Sequence, residues 1–453
     1  MDLKNLAGKK IVILGFGKEG QSSLSLLKKF CRKNDFIIAD QMEKNIFQKK
    51  FSKLAADKNI RFFLGKNYLN AVKEGDIIVK TPGIPLIKIK PFLKKGTKVA
   101  SQTEIFLANC PGITIGVTGT KGKSTTSSLI YKILKTGEKK VRLIGNIGKP
   151  ALSFLPKAKP EDIFVYEMSC HQLAELKQSP EIAVFLNLYP EHLDYYKNFS
   201  SYSKAKSNIA RWQNKNNYLI YNAEDKAISK IAKTSPAKKI KIDISEAKKF
   251  IGKEKTALMG NFNLFNIAAA IETAKIFKIP KEKTLEALKK FKPLEHRLEK
   301  AGTYFGITFY NDSLSTIEQS AIAALEALGP NVETIMLGGF DRGLTFKNLA
   351  EKILESNLKN LILFPETGQK IWDEVKKQTK GKTPPQAFFT NNMADAIKIA
   401  YKNTSKRKIC LMSCASTSFN LFRDYREKGE LFKKYAKEFN PAKKSAAKIL
   451  CQK

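Results

Sequence analysis

The sequence predicts an α/β protein of three domains, each built on a mostly parallel, doubly wound sheet. Short β-rich apolar runs alternate with amphipathic stretches along almost the whole chain, the pattern of strand–helix crossovers. Two glycine-rich turns, at residues 15–20 and 119–125, each follow an apolar run and open a helical one. The chain has 453 residues, 43% of them apolar. That is too long for one core, since domains usually span about 100–200 residues.

In order, the first domain (residues 1–100) carries expected strands at 11–14, 36–39 and 77–79, each a run of Ile, Val, Phe or Ala. The Cys110-Pro111-Gly112 turn precedes the central domain (101–298), with strands at 113–117, 141–144, 163–166, 182–188 and 218–221. Residues 124–135 and 264–278 show helical spacing of apolar side chains. A helical stretch ends near Lys292-Pro293, and the third domain (299–453) follows with strands at 303–310, 334–337, 361–364 and 409–412. From Pro441 the lysine-rich end reads as a frayed tail. No internal repeat is evident.

Composition narrows the class. Six scattered cysteines form no C-x-x-C pair, which argues against a zinc site or disulfide framework and fits a reducing compartment. No apolar run nears the ~20 residues of a membrane span, and the N-terminus shows no signal-peptide pattern. A cytoplasmic protein without membrane insertion is expected. The formal charge of +39 comes from lysines spread along the chain with no nucleic-acid motif beside them. It reads as decoration of solvated faces, not as a specific nucleic-acid site, although it favours anionic substrates.

The sharpest motif is Gly119-Thr120-Lys121-Gly122-Lys123-Ser124-Thr125. Between a buried strand and a helix, such glycines turn backbone N–H groups inward around phosphate oxygens, and the helix N-terminus adds partial positive charge. Lys123 can reach β- and γ-phosphates, and Ser124 or Thr125 can ligate Mg²⁺. Val117 stands where a standard loop of this kind has glycine. The bland alternative is a glycine-rich turn with a chance Gly-Lys-Ser. The N-terminal Gly15-Phe16-Gly17-Lys18-Glu19-Gly20, with Asp40 closing the second strand, matches a dinucleotide fingerprint in which Asp40 meets a ribose hydroxyl. The same turn could hold the diphosphate of a UDP-linked substrate, or be only a tight βα connection.

The three histidines lie in dense polar clusters: Glu167-Met168-Ser169-Cys170-His171, Glu191-His192-Leu193-Asp194 and Glu295-His296-Arg297-Leu298-Glu299. Glu167 ends a buried strand, where parallel sheets place ligand sites. With His192 it forms a candidate Mg²⁺ pair near a triphosphate.

These motifs, with Gly260-Asn261-Phe262-Asn263-Leu264-Phe265-Asn266 and Tyr310-Asn311-Asp312-Ser313, occur in the order found in the Mur ligases, and the chain resembles that family over nearly its whole length. The opening glycine turn with Thr81-Pro82-Gly83-Ile84, the pairing of His296-Arg297 with Asn311-Asp312-Ser313, and the segment from Ser413 to Phe432 most resemble its D-glutamate-adding branch. The resemblance implies a Rossmann-like UDP-binding first domain, a P-loop ATPase-type central domain and a Rossmann-like amino-acid-binding third domain. It also implies ATP-dependent addition of D-glutamate to UDP-N-acetylmuramoyl-L-alanine through an acyl phosphate, in cytoplasmic peptidoglycan precursor synthesis, by a monomer.

By the same resemblance, Lys123, Glu167, His192 and Lys206 form the catalytic set. Ser124, Glu167, His192 and a carbamylated Lys206 serve two Mg²⁺ ions, with Lys204 as the competing lysine. Residues 119–125 with Asn263, Asn266, Arg297 and Asp312 contact the nucleotide. Lys18, Glu19, Asp40, Gly83, Asn146 and His296 contact the UDP precursor, while Thr316, Arg342, Ser418 and Tyr425 line the D-glutamate pocket. The chain departs from the family pattern at Lys121 for asparagine, Phe262 for histidine, Leu314 for lysine, Arg342 for lysine and Tyr425 for phenylalanine. Rival readings are a folylpolyglutamate synthase, whose loop normally reads Gly-Lys-Gly-Ser, an NAD-dependent oxidoreductase resting on the first turn alone, and a basic RNA-binding protein resting on charge alone.

Overall fold

The computed structural model describes residues 1–439 apart from Arg32, Lys255, Lys380 and Lys382; the tail expected from Pro441, with Cys451, lies outside the described residues. The chain forms three sheets. The first contains β1 (Ile11–Leu14), β2 (Phe36–Asp40), β3 (Ile60–Leu64), β4 (Ile77–Lys80) and β5 (Lys98–Ser101), all parallel, in the order β3-β2-β1-β4-β5. The second contains β6 (Ile113–Thr118), β7 (Val141–Gly145), β8 (Ile163–Glu167), β9 (Ile182–Phe185), β10 (Tyr218–Tyr221) and β11 (Lys238–Lys241), also parallel, in the order β11-β10-β9-β6-β8-β7. The third contains β12 (Glu299–Tyr304), β13 (Ile307–Asn311), β14 (Val332–Gly338), β15 (Asn360–Phe364), β16 (Gln386–Phe389) and β17 (Ile409–Met412). Its order is β12-β13-β17-β14-β15-β16, antiparallel only between β12 and β13.

Alternate side chains of one strand enter different cores, which is why the central strands are apolar throughout. Ile11 and Ile13 pack with Leu24 and Leu27, whereas Val12 and Leu14 pack with Ala71, Val72 and Ile89. In the third sheet Ile335 and Leu337 face one cluster, and Met336 faces another with Ile362 and Met412. The α/β expectation is met.

The strand expectations needed three corrections. β3, β5, β11 and β16 were not expected; each is an edge strand with part-exposed positions, so none reads as a continuous buried apolar run, least of all Lys238-Lys239-Ile240-Lys241. The single strand expected at 303–310 is a hairpin. Its two-residue turn, Phe305 and Gly306, has φ of +50° and +79°, a left-handed pair whose twist matches the flanking strands. The strand expected at 182–188 stops at Phe185, because residues beyond it bond to the loop after β6 instead of continuing the ladder with β10.

The chain forms two compact units. One holds Met1–Pro190, Tyr195–Gly252 and Phe265–Leu288; the other holds Glu191–Asp194, Lys253–Leu264 and Lys289–Lys453. Among the described residues no helix is long and apolar enough to cross a membrane, and the five described cysteines are all free thiols.

Candidate functional site

In the first unit, β6 runs into residues 119–122 and then into the helix Lys123–Thr136. β6 lies between β8 and β9, and the chain leaves it in both directions across the sheet, so the loop occupies a topological switch point. Gly122 caps the helix in the left-handed region at φ +86°, and a Cβ there would collide with the Asn266 amide. Asn187 braces the loop: the Thr120 N–H donates to its carbonyl at 2.9 Å, the Lys121 N–H donates to Oδ1 at 2.8 Å, and Nδ2 donates to the Lys121 carbonyl at 3.0 Å. No sequence motif singled out Asn187. Thr120 is locked by the Tyr189 N–H, which donates to its hydroxyl, and by Tyr202.

Two lysines meet at this loop. Lys123 donates to the carbonyls of Gly119 at 3.0 Å and Thr120 at 2.9 Å. Lys206, on the helix Phe199–Arg211 and only 1% exposed, donates to the same Gly119 carbonyl at 2.8 Å and to the Thr118 hydroxyl at 3.3 Å. The adjacent phenol ring of Tyr202 lies 5.1 Å from its ammonium.

Glu167 ends β8 next to β6 and is buried, with Oε2 lacking a hydrogen-bond partner among the described residues. Asn146 follows β7 in a turn whose N–H donates to the Glu167 carbonyl at 3.3 Å, and Gly145 (φ +101°) permits this approach because a Cβ would strike that carbonyl. Asn266 accepts from the Thr126 hydroxyl at 3.1 Å, tying a second helix to the phosphate-loop helix.

The glycine turn after β1 is held by Asp40. Its carboxylate accepts the Phe16 N–H at 2.6 Å and the Met42 N–H at 2.8 Å, so this side chain shapes the turn itself. Gly15, Gly17, Asp40, Thr81, Gly83 and Lys88 are among the residues lining a cavity of about 280 Å³. Lys18 is exposed at the helix start. Glu19 faces inward, and burial raises its pKa against the opposing effects of its bond from Gln172 (2.7 Å) and the charge of Lys80. Lys80 is itself buried and paired with Glu175 at 3.0 Å. Gln172 belongs to a capped turn with Ser169 two residues past Glu167, so the glycine turn after β1 and the end of β8 are joined by one polar network.

In the second unit, His296 is buried against Tyr425 in an edge-to-face pair, with ring centroids 5.7 Å apart. Asp312 accepts the Leu298 N–H at 3.1 Å and the Ser413 hydroxyl at 2.7 Å. Arg297 and Arg342 each keep a buried Nε with no hydrogen-bond partner, and the Arg342 guanidinium lies over Phe419. Arg342 and Thr316 line a small enclosed pocket with Phe340, Thr367, Ser416 and Thr417, whose hydroxyl also has no partner. Thr316 donates to Glu191 at 3.0 Å. Ser418 is buried nearby in sequence, Asn263 is fixed by donating to the Met259 carbonyl at 2.8 Å, and His192 sits at φ +57° with Nε2 3.9 Å from Glu191. Thus the first unit brings together the phosphate loop, Glu167, Lys206, Asn146 and Asn266, and the second holds the remaining candidates.

Comparison with known proteins supplies the lineage. Residues 117–274 match the model of the Mur ligase middle domain. A UDP-N-acetylmuramoylalanine–D-glutamate ligase of Clostridium acetobutylicum is 32% identical, covering 95% of this chain and 97% of that one. One from Clostridium tetani is 30% identical with the same coverage. Among solved structures, MurF of Acinetobacter baumannii superposes with a TM-score of 0.60 at 13% identity, covering 95% of this chain and 91% of that one. The UDP-N-acetylmuramate-alanine ligase of Thermotoga maritima gives 0.57 at 18%, covering 96% and 100%. With end-to-end relatives above 30% identity and a shared fold, the chain belongs to the Mur ligase family.

Proposed function

We propose that the protein is an ATP-dependent ligase that adds D-glutamate to UDP-N-acetylmuramoyl-L-alanine, giving ADP and phosphate through an acyl phosphate, in cytoplasmic peptidoglycan precursor synthesis. The full-length likeness to relatives bearing that name supports the substrates. The observation that carries the chemistry is the convergence of Lys123 and Lys206 on the Gly119 carbonyl, at the start of the helix Lys123–Thr136. Phosphoryl transfer asks chiefly for such positioning and charge neutralisation.

In this reading Lys123 swings from its two carbonyls onto the transferring phosphoryl oxygens, and the amides of residues 122–125 at the helix start cradle the remaining phosphates. Glu167 fits a hard cation: a buried carboxylate oxygen with no donor suits Mg²⁺, which prefers oxygen ligands. Ser124, Glu167 and Lys206, with His192 assigned by sequence, would hold two Mg²⁺ ions, which when bound neutralise phosphate charge. Lys206 serves as a carbamate: its neutral amine adds to CO₂, an N–C bond forms, a proton leaves, and the buried cation becomes an anion. The unpartnered Nε atoms of Arg297 and Arg342 support roles as carboxylate or phosphate donors, Arg342 clamping D-glutamate with Thr316, Ser418 and Tyr425. Asn263, Asn266 and Asp312 serve the nucleotide; Lys18, Glu19, Asp40, Gly83, Asn146 and His296 serve the UDP precursor. We divide the chain into three domains at 1–100, 101–298 and 299–453, acting as a monomer.

The test is phosphate release with UDP-N-acetylmuramoyl-L-alanine, ATP and D-glutamate. Release that requires all three supports the assignment, and ADP formation indifferent to the acceptor and donor contradicts it. D- and L-amino acids run side by side define the acceptor.

A further inference from the structure

Asn311 ends β13 with no exposed surface, and every hydrogen on its amide is directed. Its Oδ1 accepts the Ser313 N–H at 3.1 Å, which fixes which end of the side chain is nitrogen. Its Nδ2 lies 3.1 Å from Glu299 Oε2 and 3.0 Å from His296 Nδ1. An amide nitrogen only donates, so the nitrogen it meets on His296 must be the lone-pair nitrogen. Glu299 holds the arrangement from its other side, because the same Oε2 accepts the backbone N–H of His296 at 2.9 Å.

The neighbours of the ring agree. Gly429 packs so tightly on this edge that a Cβ there would collide with Nδ1 and lie 2.7 Å from the Ser313 hydroxyl. Glycine inside the helix Tyr425–Glu438 costs roughly 1 kcal/mol relative to alanine, and the close ring accounts for it. The opposite nitrogen, Nε2, lies 3.7 Å from Glu430, an anion that prefers to face an N–H. The charged groups around the ring are Glu295, Glu299 and Glu430, which favour a proton, and Lys433, which opposes one; burial outweighs them and lowers the His296 pKa.

We infer that Asn311 is a positioning residue that locks His296 as the neutral Nε2–H tautomer, so that His296 offers a fixed hydrogen-bond donor, never an acceptor, to the anionic substrate or nucleotide it meets. The catalytic consequence rests on the assignment of His296 to the substrate site; the tautomer belongs to the free protein. A ring free to exchange tautomers would offer that donor only part of the time. Asn311 performs this service without touching ligand.

The chain has only three histidines, so long-range ¹H–¹⁵N spectra of the ligand-free protein, assigned with His296→Gln, read the tautomer directly. A bare Nδ1 and a protonated Nε2, unchanged between pH 6.5 and 8, are expected; an Nδ1–H ring or averaged nitrogen shifts would overturn the inference. Asn311→Asp is nearly isosteric but places an acceptor against Nδ1. Above the pKa of its ring it should convert His296 to the neutral Nδ1–H tautomer, which lacks the Nε2–H donor, and there reduce kcat by roughly tenfold or more, by analogy with the loss seen when an orienting partner of a histidine is changed. Protonation of the ring at lower pH restores Nε2–H, so the deficit should narrow as the buffer is acidified. An unaltered ring signature in that variant, or a neutral Nδ1–H ring with undiminished turnover, would refute the positioning role. Should Asn311→Asp not fold, the wild-type spectrum still decides the tautomer. Absence of ligase turnover in the wild type would count against the proposed function and leave the tautomer assignment standing.

Discussion

Lys123 and Lys206 share one acceptor, the carbonyl of Gly119, at 3.0 and 2.8 Å. Two ammonium groups on one oxygen are no more than about 6 Å apart and repel by about 3 kcal/mol at an effective dielectric near 20. Converting Lys206 to a carbamate turns that repulsion into attraction. Lys206→Ala should therefore lose at least about a hundredfold in kcat and regain part of it with millimolar formate or acetate, whose carboxylates replace the lost anion. Stripping CO₂ from the wild-type buffer should lower activity and bicarbonate should restore it. Indifference to both would rule the carbamate out.

Among the described residues the Lys123 ammonium hydrogen-bonds only loop carbonyls, so its removal should leave the fold in place. Lys123→Ala is expected to unfold within about 0.5 kcal/mol of the wild type while turnover falls by about a thousandfold. Denaturation curves beside phosphate-release rates check both halves.

Glu167 presents the opposite case. Its buried, donorless carboxylate oxygen is costly without a cation, so Glu167→Gln should raise ligand-free stability by about 1 kcal/mol. The same change should shift the Mg²⁺ concentration for half-maximal turnover upward by about ten- to a hundredfold. A more stable enzyme with an unchanged Mg²⁺ titration would contradict the metal role.

Gly122 combines a left-handed backbone with the Asn266 amide against its α-carbon. Gly122→Ala should cost about 1–3 kcal/mol of stability and weaken nucleotide binding, read by melting temperature with and without ATP. Equal melting shifts with ATP in both proteins would show that the loop tolerates the change.

His296 should also mark stability against pH. Its folded pKa is depressed below the ordinary imidazole value near 6.5, so the unfolded chain binds the proton more readily. Its contribution is fully present above that value and is lost as pH falls from about 6.5 toward the folded pKa. The melting-temperature difference between wild type and His296→Gln should shrink as the buffer is acidified through that window.

The central strands and both glycine turns were legible because burial on two faces leaves an apolar run that no helix period disguises. Four edge strands were not, although the edge strand β7 was. Lys238-Lys239-Ile240-Lys241 and Lys98-Val99-Ala100-Ser101 gain their conformation from a neighbour's ladder, not from their own composition. The strand-to-helix turn at 119–125 could be read from spacing, since glycine there answers to local backbone chemistry. The bracing role of Asn187 could not, since it acts on residues brought near by the sheet; Asn311 stood in a motif paired with His296-Arg297, but its hold on the ring emerges only from the fold. Asp40 was singled out beside the glycine turn, but its hold on the Phe16 and Met42 amides emerges only from the fold.

The place of β17 has a consequence for synthesis. In the first two sheets the earliest strand is internal and later ones add around it, but in the third the last strand, Ile409–Met412, fills the gap between β13 and β14. Until that segment has left the ribosome, the hairpin and the β14–β16 layer each present a bare, apolar edge, the kind of template on which nascent chains aggregate. Premature termination anywhere before residue 409 thus leaves a split sheet, a natural substrate for quality-control proteases.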